Sequence, residues 1–112
     1  MTSLPDTVRL EATDVTFLSL GDETAFFTWL KSLPFVAHVD GHHKLLHIDI
    51  ATSLLDEEGL RELLALFQRY RLPLNQLAAL DADEFALWFR NPRADWFRGV
   101  FGSDAAPALR AR

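Results

Sequence analysis

The four histidines of the chain are confined to ten residues: His38, His42, His43 and His47. A neutral imidazole is a common zinc ligand, and histidine exchanges protons near neutral pH. The cluster could therefore bind a metal ion, transfer protons, or form the polar surface of a β-hairpin. Asp49 follows closely, so the metal-ligand set to consider is His38, His47 and Asp49.

The segment that carries the histidines is predicted to form a β-hairpin. Residues 35–39 and 44–50 are predicted strands, and Asp40-Gly41 between them is a strong turn signal. Because side chains alternate along a strand, the second strand has one apolar and one polar face. The apolar face would carry Leu46, Ile48 and Ile50, and the other face Leu45, His47 and Asp49.

The register of this hairpin decides whether the candidate ligands meet. If Val36 pairs with His47 and His38 with Leu45, then His38, His47 and Asp49 share one face of the sheet. Diagonal positions on a sheet are far apart for a single ion, and a register slip of one residue would break up the set. We therefore predict no metal site, and interpret this face as a polar surface that meets solvent or a partner.

Other catalytic equipment is not evident in the sequence. It contains no cysteine, no glycine-rich phosphate loop, no HExxH and no GxSxG. The acidic pair Glu57-Glu58 stands at a predicted helix start, where the helix dipole favours carboxylates in any case. We predict a protein that is not an enzyme and has no cofactor; a small metal-dependent or acid–base enzyme is the least favoured alternative.

The remaining pattern predicts one strand and several helices. Residues 7–12 alternate as a half-buried strand does, and a helix is expected from Asp22 to Pro34. The clearest helix, which we call the leucine-rich helix, lies within residues 52–71, with Ser53 as its N-cap. Residues 74–80 fit a short helix or a strand. Further short helices are predicted to begin at Asp81 and at Asn91.

These elements predict an α+β fold. We expect a single domain over residues 1–112, in which a small antiparallel sheet with a β-hairpin packs against three to five α-helices. Hydrophobic residues make up 49% of the chain, enough for one core. Residues 1–6 and 103–112 are expected to be flexible.

The net charge of −5 is unevenly spread along the chain. Residues 1–60 hold ten acids against three basic residues (−7), and residues 61–112 hold six acids against eight arginines (+2). An acidic chain is unsuited to broad nucleic-acid binding but suits a basic protein partner. With no signal peptide, no membrane-spanning segment and no cysteine, we expect a cytoplasmic protein that binds neither nucleic acid nor membrane.

Aromatic residues crowd the segment 85–101, where Arg90, Arg93 and Arg98 lie among them. Such an arrangement can stack on single-stranded nucleic acid. More often it is two short helices that bury their rings, and this is the interpretation we favour. On that basis Trp88, like Phe67 of the leucine-rich helix, is predicted to be deeply buried.

The sequences "LRELLALFQRYRLPLNQL" and "WFRNPRADWFRGVFG" resemble those of small bacterial immunity proteins, which accompany polymorphic or contact-dependent toxins. The resemblance extends loosely over residues 15–102, from the "FFTWL" helix through the hairpin to the "VFG" end. It implies a protein that neutralises a cognate toxin, often a nuclease, by direct binding, and it implies no catalytic residues.

The candidate residues for binding a basic partner are acids that point away from the predicted core. They are Asp56, Glu57, Glu58 and Glu62 on the leucine-rich helix, with Asp40 and Asp49 of the hairpin alongside. The main alternative is a regulatory or scaffolding interaction domain with another partner. The oligomeric state is left open.

Overall fold

The computed structural model describes residues 4–42 and 44–102, except for the side chain of His42. The strands are β1 (Thr7–Thr13), β2 (Val36–His42) and β3 (Leu45–Ala51), and the α-helices are α1 (Leu20–Ser32), α2 (Glu57–Arg69) and α3 (Ala86–Phe89). Short 3-10 helices cover Thr52–Leu54, Leu74–Leu80 and Asp83–Phe85, and a π-helical turn covers Arg98–Gly102. The predicted α+β class is confirmed: one domain contains a three-stranded antiparallel sheet packed against helices. The predicted flexibility of 103–112 concerns residues outside the described ranges.

The sheet has the strand order β1-β3-β2, with both neighbours antiparallel to β3. The turn prediction was wrong, because pairing continues through Asp40 and Gly41 to His42, which lies opposite Leu45. A β-bulge between Val36 and His38 adds one residue to β2 and shifts its register. The two strands of the hairpin therefore extend further towards its tip than the Asp40-Gly41 turn signal indicates.

The two long helices begin at residues other than the predicted caps. Ser19, not Asp22, is the N-cap of α1: its hydroxyl accepts a hydrogen bond from Asp22 N, and the Asp22 carboxylate accepts one from Leu18 N. This arrangement differs from a capping box in one respect: the carboxylate accepts from the N–H of the residue before the N-cap, not from that of the N-cap. Asp56, not Ser53, is the N-cap of α2 and accepts a hydrogen bond from Gly59 N.

One core lies between the buried face of the sheet and the helices. The apolar stripe of α2 is fully buried, and so are alternate residues of β1 and β3: Leu10, Ala12, Leu46, Ile48, Ile50, Leu60, Leu63, Leu64 and Phe67. The predicted burial of Phe67 is confirmed. The prediction for Trp88 was wrong, because this side chain is only half-buried. Phe85 and Phe89 are the aromatic residues of that segment that fill the core.

The chain after α2 packs against the sheet edge in 3-10 helices and turns. The Gln76 side chain hydrogen-bonds both the N–H and the carbonyl of Glu11 at 2.6 Å, and so occupies the outer edge of β1. Asp81 is not the N-cap of the helical segment that follows it: this segment begins after Ala82, and the Asp81 carboxylate accepts a hydrogen bond from Arg90 Nε (2.6 Å). Asn91 does not begin an α-helix either; its side chain accepts a hydrogen bond from Arg93 N in a local turn.

Across the two described ranges, none of the helices combines the length and the apolar character that crossing a bilayer requires.

Candidate partner-binding site

The acidic end of α2 faces solvent because the opposite side of the helix is buried. Asp56, Glu57, Glu58 and Glu62 are all exposed, as predicted. Asp56 is held in place by its capping hydrogen bond to Gly59 N (2.8 Å). Gly59 allows the close approach of the core at this point, since a Cβ there would lie 2.6 Å from the Phe35 ring. We call these four acids and Arg61 the acidic face of α2.

Within the acidic face, one carboxylate is bound to a tryptophan of the neighbouring helix. The Trp29 indole N–H donates a hydrogen bond to the Glu62 carboxylate (2.9 Å). Trp29 belongs to α1 and is half-buried, so part of its ring borders the acidic face. Trp29 lies in a helix that the sequence predicts, but its contact with Glu62 depends on how α1 packs against α2 and has no local sequence signal.

Arg61 connects the acidic face of α2 to the aromatic-rich segment 85–101. Its side chain forms an ion pair with Glu57 one turn earlier (3.1 Å). Its guanidinium also lies over the Trp88 ring, 4.2 Å from the ring centroid, and 5.9 Å from that of Trp96. The two indoles meet edge to face, with centroids 5.8 Å apart. The resulting cation–π contact fixes an otherwise mobile arginine on the surface.

The two indole N–H groups beside Arg61 differ in their partners. Trp96 donates to the carbonyl of Phe89 (3.0 Å). The N–H of Trp88 is buried, and no acceptor for it exists among residues 4–42 and 44–102. Its neighbour Leu87 is 93% exposed. Two half-buried indoles therefore lie next to Arg61 and its acidic partner Glu57 on α2.

The predicted hairpin register was wrong, although the candidate ligands do lie on one face. Val36 pairs with Ile50, His38 with Asp49 and Asp40 with His47. His38, Asp40, His47 and Asp49 therefore share the face of the sheet that points away from the core. The position of the turn explains the difference, because pairing continues to His42 opposite Leu45 and therefore places His38 opposite Asp49. The bulge at the start of β2 shifts only the pairing of Val36, by one residue.

An ion pair and a carboxylate–imidazole contact on this open sheet face occupy two of the candidate ligands, Asp49 and His47. Arg9 on β1 binds Asp49 through two hydrogen bonds of 2.7 and 3.1 Å. These hydrogen bonds lower the pKa of Asp49 below its ordinary value, and they raise the pKa of Arg9. The next pair along the strands is Glu11 with His47 (3.3 Å). Over the described part of the chain, no three histidine or acidic side chains are placed to hold one metal ion.

Asp40 and Asp49 do not extend the acidic face of α2. Both lie on the open face of the sheet, whereas the α2 acids project from the opposite side of their own buried stripe, and the core separates the two surfaces. Asp49 is also neutralised by Arg9. The candidate residues thus form two sites, of which only the acidic face of α2 adjoins exposed aromatic side chains.

No protein-family model, curated protein or solved structure matches this chain. The resemblance to immunity proteins therefore remains a prediction from the residues quoted above.

Proposed function

We propose that this chain is a non-catalytic protein-binding domain, and that it acts as an immunity protein by binding a basic toxin domain through the acidic face of α2. One observation carries the proposal: four exposed acids of α2 adjoin the half-buried tryptophans Trp29, Trp88 and Trp96. A nuclease is one toxin class with the basic surface that this charge would suit.

The composition of the surface supports protein binding. Binding free energy in protein interfaces is concentrated in a few residues, most often tryptophan, tyrosine and arginine. Here Arg61 is held on Trp88 by the cation–π contact, so its side chain loses little conformational entropy on binding. A partner that covers Trp29 and Trp88 would also bury apolar area that is half-exposed in the free protein.

The charge supports a basic partner. Four carboxylates on the acidic face are opposed by the single guanidinium of Arg61. Opposite charge across an interface mainly raises the association rate, and this effect weakens as salt is added. A stoichiometric inhibitor needs rapid capture of its target, which this distribution of charge favours.

The test reverses the charge of the acidic face and leaves the core untouched. We expect Glu57→Lys with Glu58→Lys and Glu62→Lys to fold, because exposed pairs contribute only about 0–1 kcal/mol each. The triple variant should fail to protect bacteria from the toxin encoded by the neighbouring gene, which the wild-type chain should neutralise. The matched control reverses three exposed acids elsewhere, Asp6, Glu23 and Asp40, and should still protect.

Each result has a definite meaning. Loss of protection in the triple variant alone supports the acidic face of α2 as the binding site. Loss of protection in both variants would indicate that net charge matters and would refute this particular face. If the neighbouring product is not toxic, or if the wild-type chain gives no protection against it, the proposal of toxin neutralisation is refuted.

A further inference from the structure

A cleft of about 640 Å³ lies between the segment that follows β1 and the C-terminal end of α2. Its volume is within the range of small-molecule binding sites. It is lined on one side by residues 13–16 and 18, and on the other by residues 69–72. None of the residues of the acidic face of α2 takes part in it, so the cleft is separate from the proposed protein-binding surface.

Two strained backbone positions line this cleft. Asp14 (φ 54°) and Arg71 (φ 59°) are the only non-glycine residues with positive φ in the part of the chain that the structure describes. Arg71 follows the end of α2, where Arg71 N bonds Gln68 O and Leu72 N bonds Phe67 O. Helices that end in this way usually have glycine at the left-handed position, because a side chain is unfavourable there.

Because arginine is unfavourable at this position, we expect its side chain to make an interaction that compensates for the backbone conformation. Strained residues concentrate at functional sites, where the side chain contributes something that compensates for the strained backbone. Arg71 and Arg69 both line the cleft and are both exposed. Neither forms an ion pair with any carboxylate of residues 4–42 and 44–102. Two guanidinium groups without an ion pair therefore lie at one cleft of a chain of net charge −5, and Arg69 makes a side-chain hydrogen bond with the neutral Tyr70 hydroxyl.

The acids of the cleft, in contrast, are already engaged. Asp22 accepts hydrogen bonds from Leu18 N (2.9 Å) and from the Tyr70 hydroxyl (3.2 Å). Asp14 lies 4.0 Å from the ammonium of Lys44. Desolvation raises the pKa of Tyr70, and the hydrogen bond to Asp22 raises it further, so its hydroxyl remains a donor. The charged groups left to balance a ligand are therefore the two arginines, since the hydrogen bond between Arg69 and the neutral Tyr70 hydroxyl leaves the Arg69 charge unbalanced.

We propose that the cleft binds a small organic anion, with its phosphate or carboxylate group between Arg69 and Arg71. Arginine recognises both groups through paired hydrogen bonds from its planar guanidinium. The cleft is much larger than an inorganic anion, and Val15 and Leu18 supply apolar contacts for the rest of the ligand. Leu18 is 88% exposed, and such a ligand would cover it.

The first experiment measures binding of three probes to the full chain at constant ionic strength: inorganic phosphate, phenyl phosphate and benzoate. We expect saturable shifts of the Asp14, Leu18 and Arg71 amide signals in NMR spectra, and a melting temperature that rises with probe concentration. The aromatic probes should bind more tightly than inorganic phosphate. Comparison of phenyl phosphate with benzoate decides between phosphate and carboxylate.

The second experiment substitutes the two arginines, and one of the substitutions also removes the backbone strain at Arg71. Arg71→Gly relieves the left-handed backbone, so we expect the melting temperature without ligand to rise by about 4 °C. The same variant should lose at least about tenfold in affinity for the anion. Arg69→Ala should lose affinity without that gain in stability. The control, Arg93→Ala, removes one positive charge outside the cleft and should bind as the wild type does.

Two results would overturn the proposal. One is the absence of saturable binding of phenyl phosphate and benzoate to the wild-type chain at millimolar concentrations. The other is an Arg71→Gly variant that binds the anions as tightly as the wild type, which would make Arg71 only a tolerated helix end. Because no toxin is needed in these measurements, they stand or fall independently of the proposed immunity function.

Discussion

Trp88 and Trp96 differ in one respect that a matched pair of substitutions can measure. Their rings pack against each other, and both are half-buried. The Trp96 indole N–H has an acceptor in Phe89 O, whereas that of Trp88 is buried without an acceptor in residues 4–42 and 44–102. Phenylalanine keeps an aromatic ring but has no N–H. We therefore predict that Trp88→Phe is less destabilising than Trp96→Phe.

The size of the difference follows from the contacts. Both substitutions remove the same atoms, so the loss of apolar area largely cancels in the comparison. Removal of the unpaired Trp88 N–H recovers a desolvation penalty of about 1–3 kcal/mol, and removal of the Trp96 N–H loses a hydrogen bond with a net value of about 0.5–1.5 kcal/mol. The weaker contact of Arg61 with phenylalanine subtracts about 0.5 kcal/mol. The free energy of unfolding of Trp88→Phe should exceed that of Trp96→Phe by about 1–4 kcal/mol.

Urea unfolding followed by far-UV circular dichroism measures this difference without relying on tryptophan fluorescence. Equal m values for the two variants would show that the same surface is exposed on unfolding, so that their free energies can be compared. Free energies of unfolding that agree within about 0.5 kcal/mol would refute the reasoning. So would a Trp88→Phe variant that is the less stable of the two.

Two further predictions concern the open face of the sheet. The pKa of Asp49 is lower in the folded chain than its ordinary value of 3.8, so its ion pair with Arg9 stabilises the fold fully above about pH 4 and is lost as the pH falls through the lowered pKa. The loss of stability below pH 4 should therefore be steeper in the wild type than in Arg9→Ala, and equal acid-unfolding curves would contradict this. Zinc should not raise the melting temperature, because Arg9 and Glu11 already occupy Asp49 and His47. A zinc-dependent rise that His47→Ala abolishes would establish the metal site.

The parts of the fold that the sequence predicted correctly are those with a regular period. The alternation in β1 and β3 and the leucine stripe of α2 each determine one buried face, and all of these faces are buried. The ends of elements were predicted less well. Ser53 and Asp56 are both capable N-caps, but Ser53 lies in a separate 3-10 helix (Thr52–Leu54), and α2 begins after Asp56, which accepts a hydrogen bond from Gly59 N. Asp40-Gly41 is a good turn sequence that the longer pairing of β2 with β3 overrides.

The sequence predicted the exposed acids of the candidate site, but not the contacts that join them to the tryptophans. The acids of α2 were placed on the solvent side correctly, because helical periodicity alone determines their direction. The contact of Arg61 with Trp88 and Trp96 joins residues about 30 positions apart, and no local pattern reports such a contact. Trp88 was expected in the core for the same reason: a tryptophan that packs under an arginine at the surface has the same helical spacing as one in the core.

The positions of two of the four histidines, His38 and His47, are explained by the same physical constraint as those of the acids around them. A three-stranded sheet covered by helices on one side leaves its other side to solvent, which requires polar side chains there. On this side, Arg9 lies opposite Asp49, and the Glu11 carboxylate lies opposite the His47 imidazole. Asp49 is in turn opposite His38, and His47 is opposite Asp40. Each imidazole thus has a carboxylate as its cross-strand neighbour, and such pairs stabilise a sheet by about 0.2–1 kcal/mol. The positions of His38 and His47 therefore follow from solvation and pairing on an open sheet.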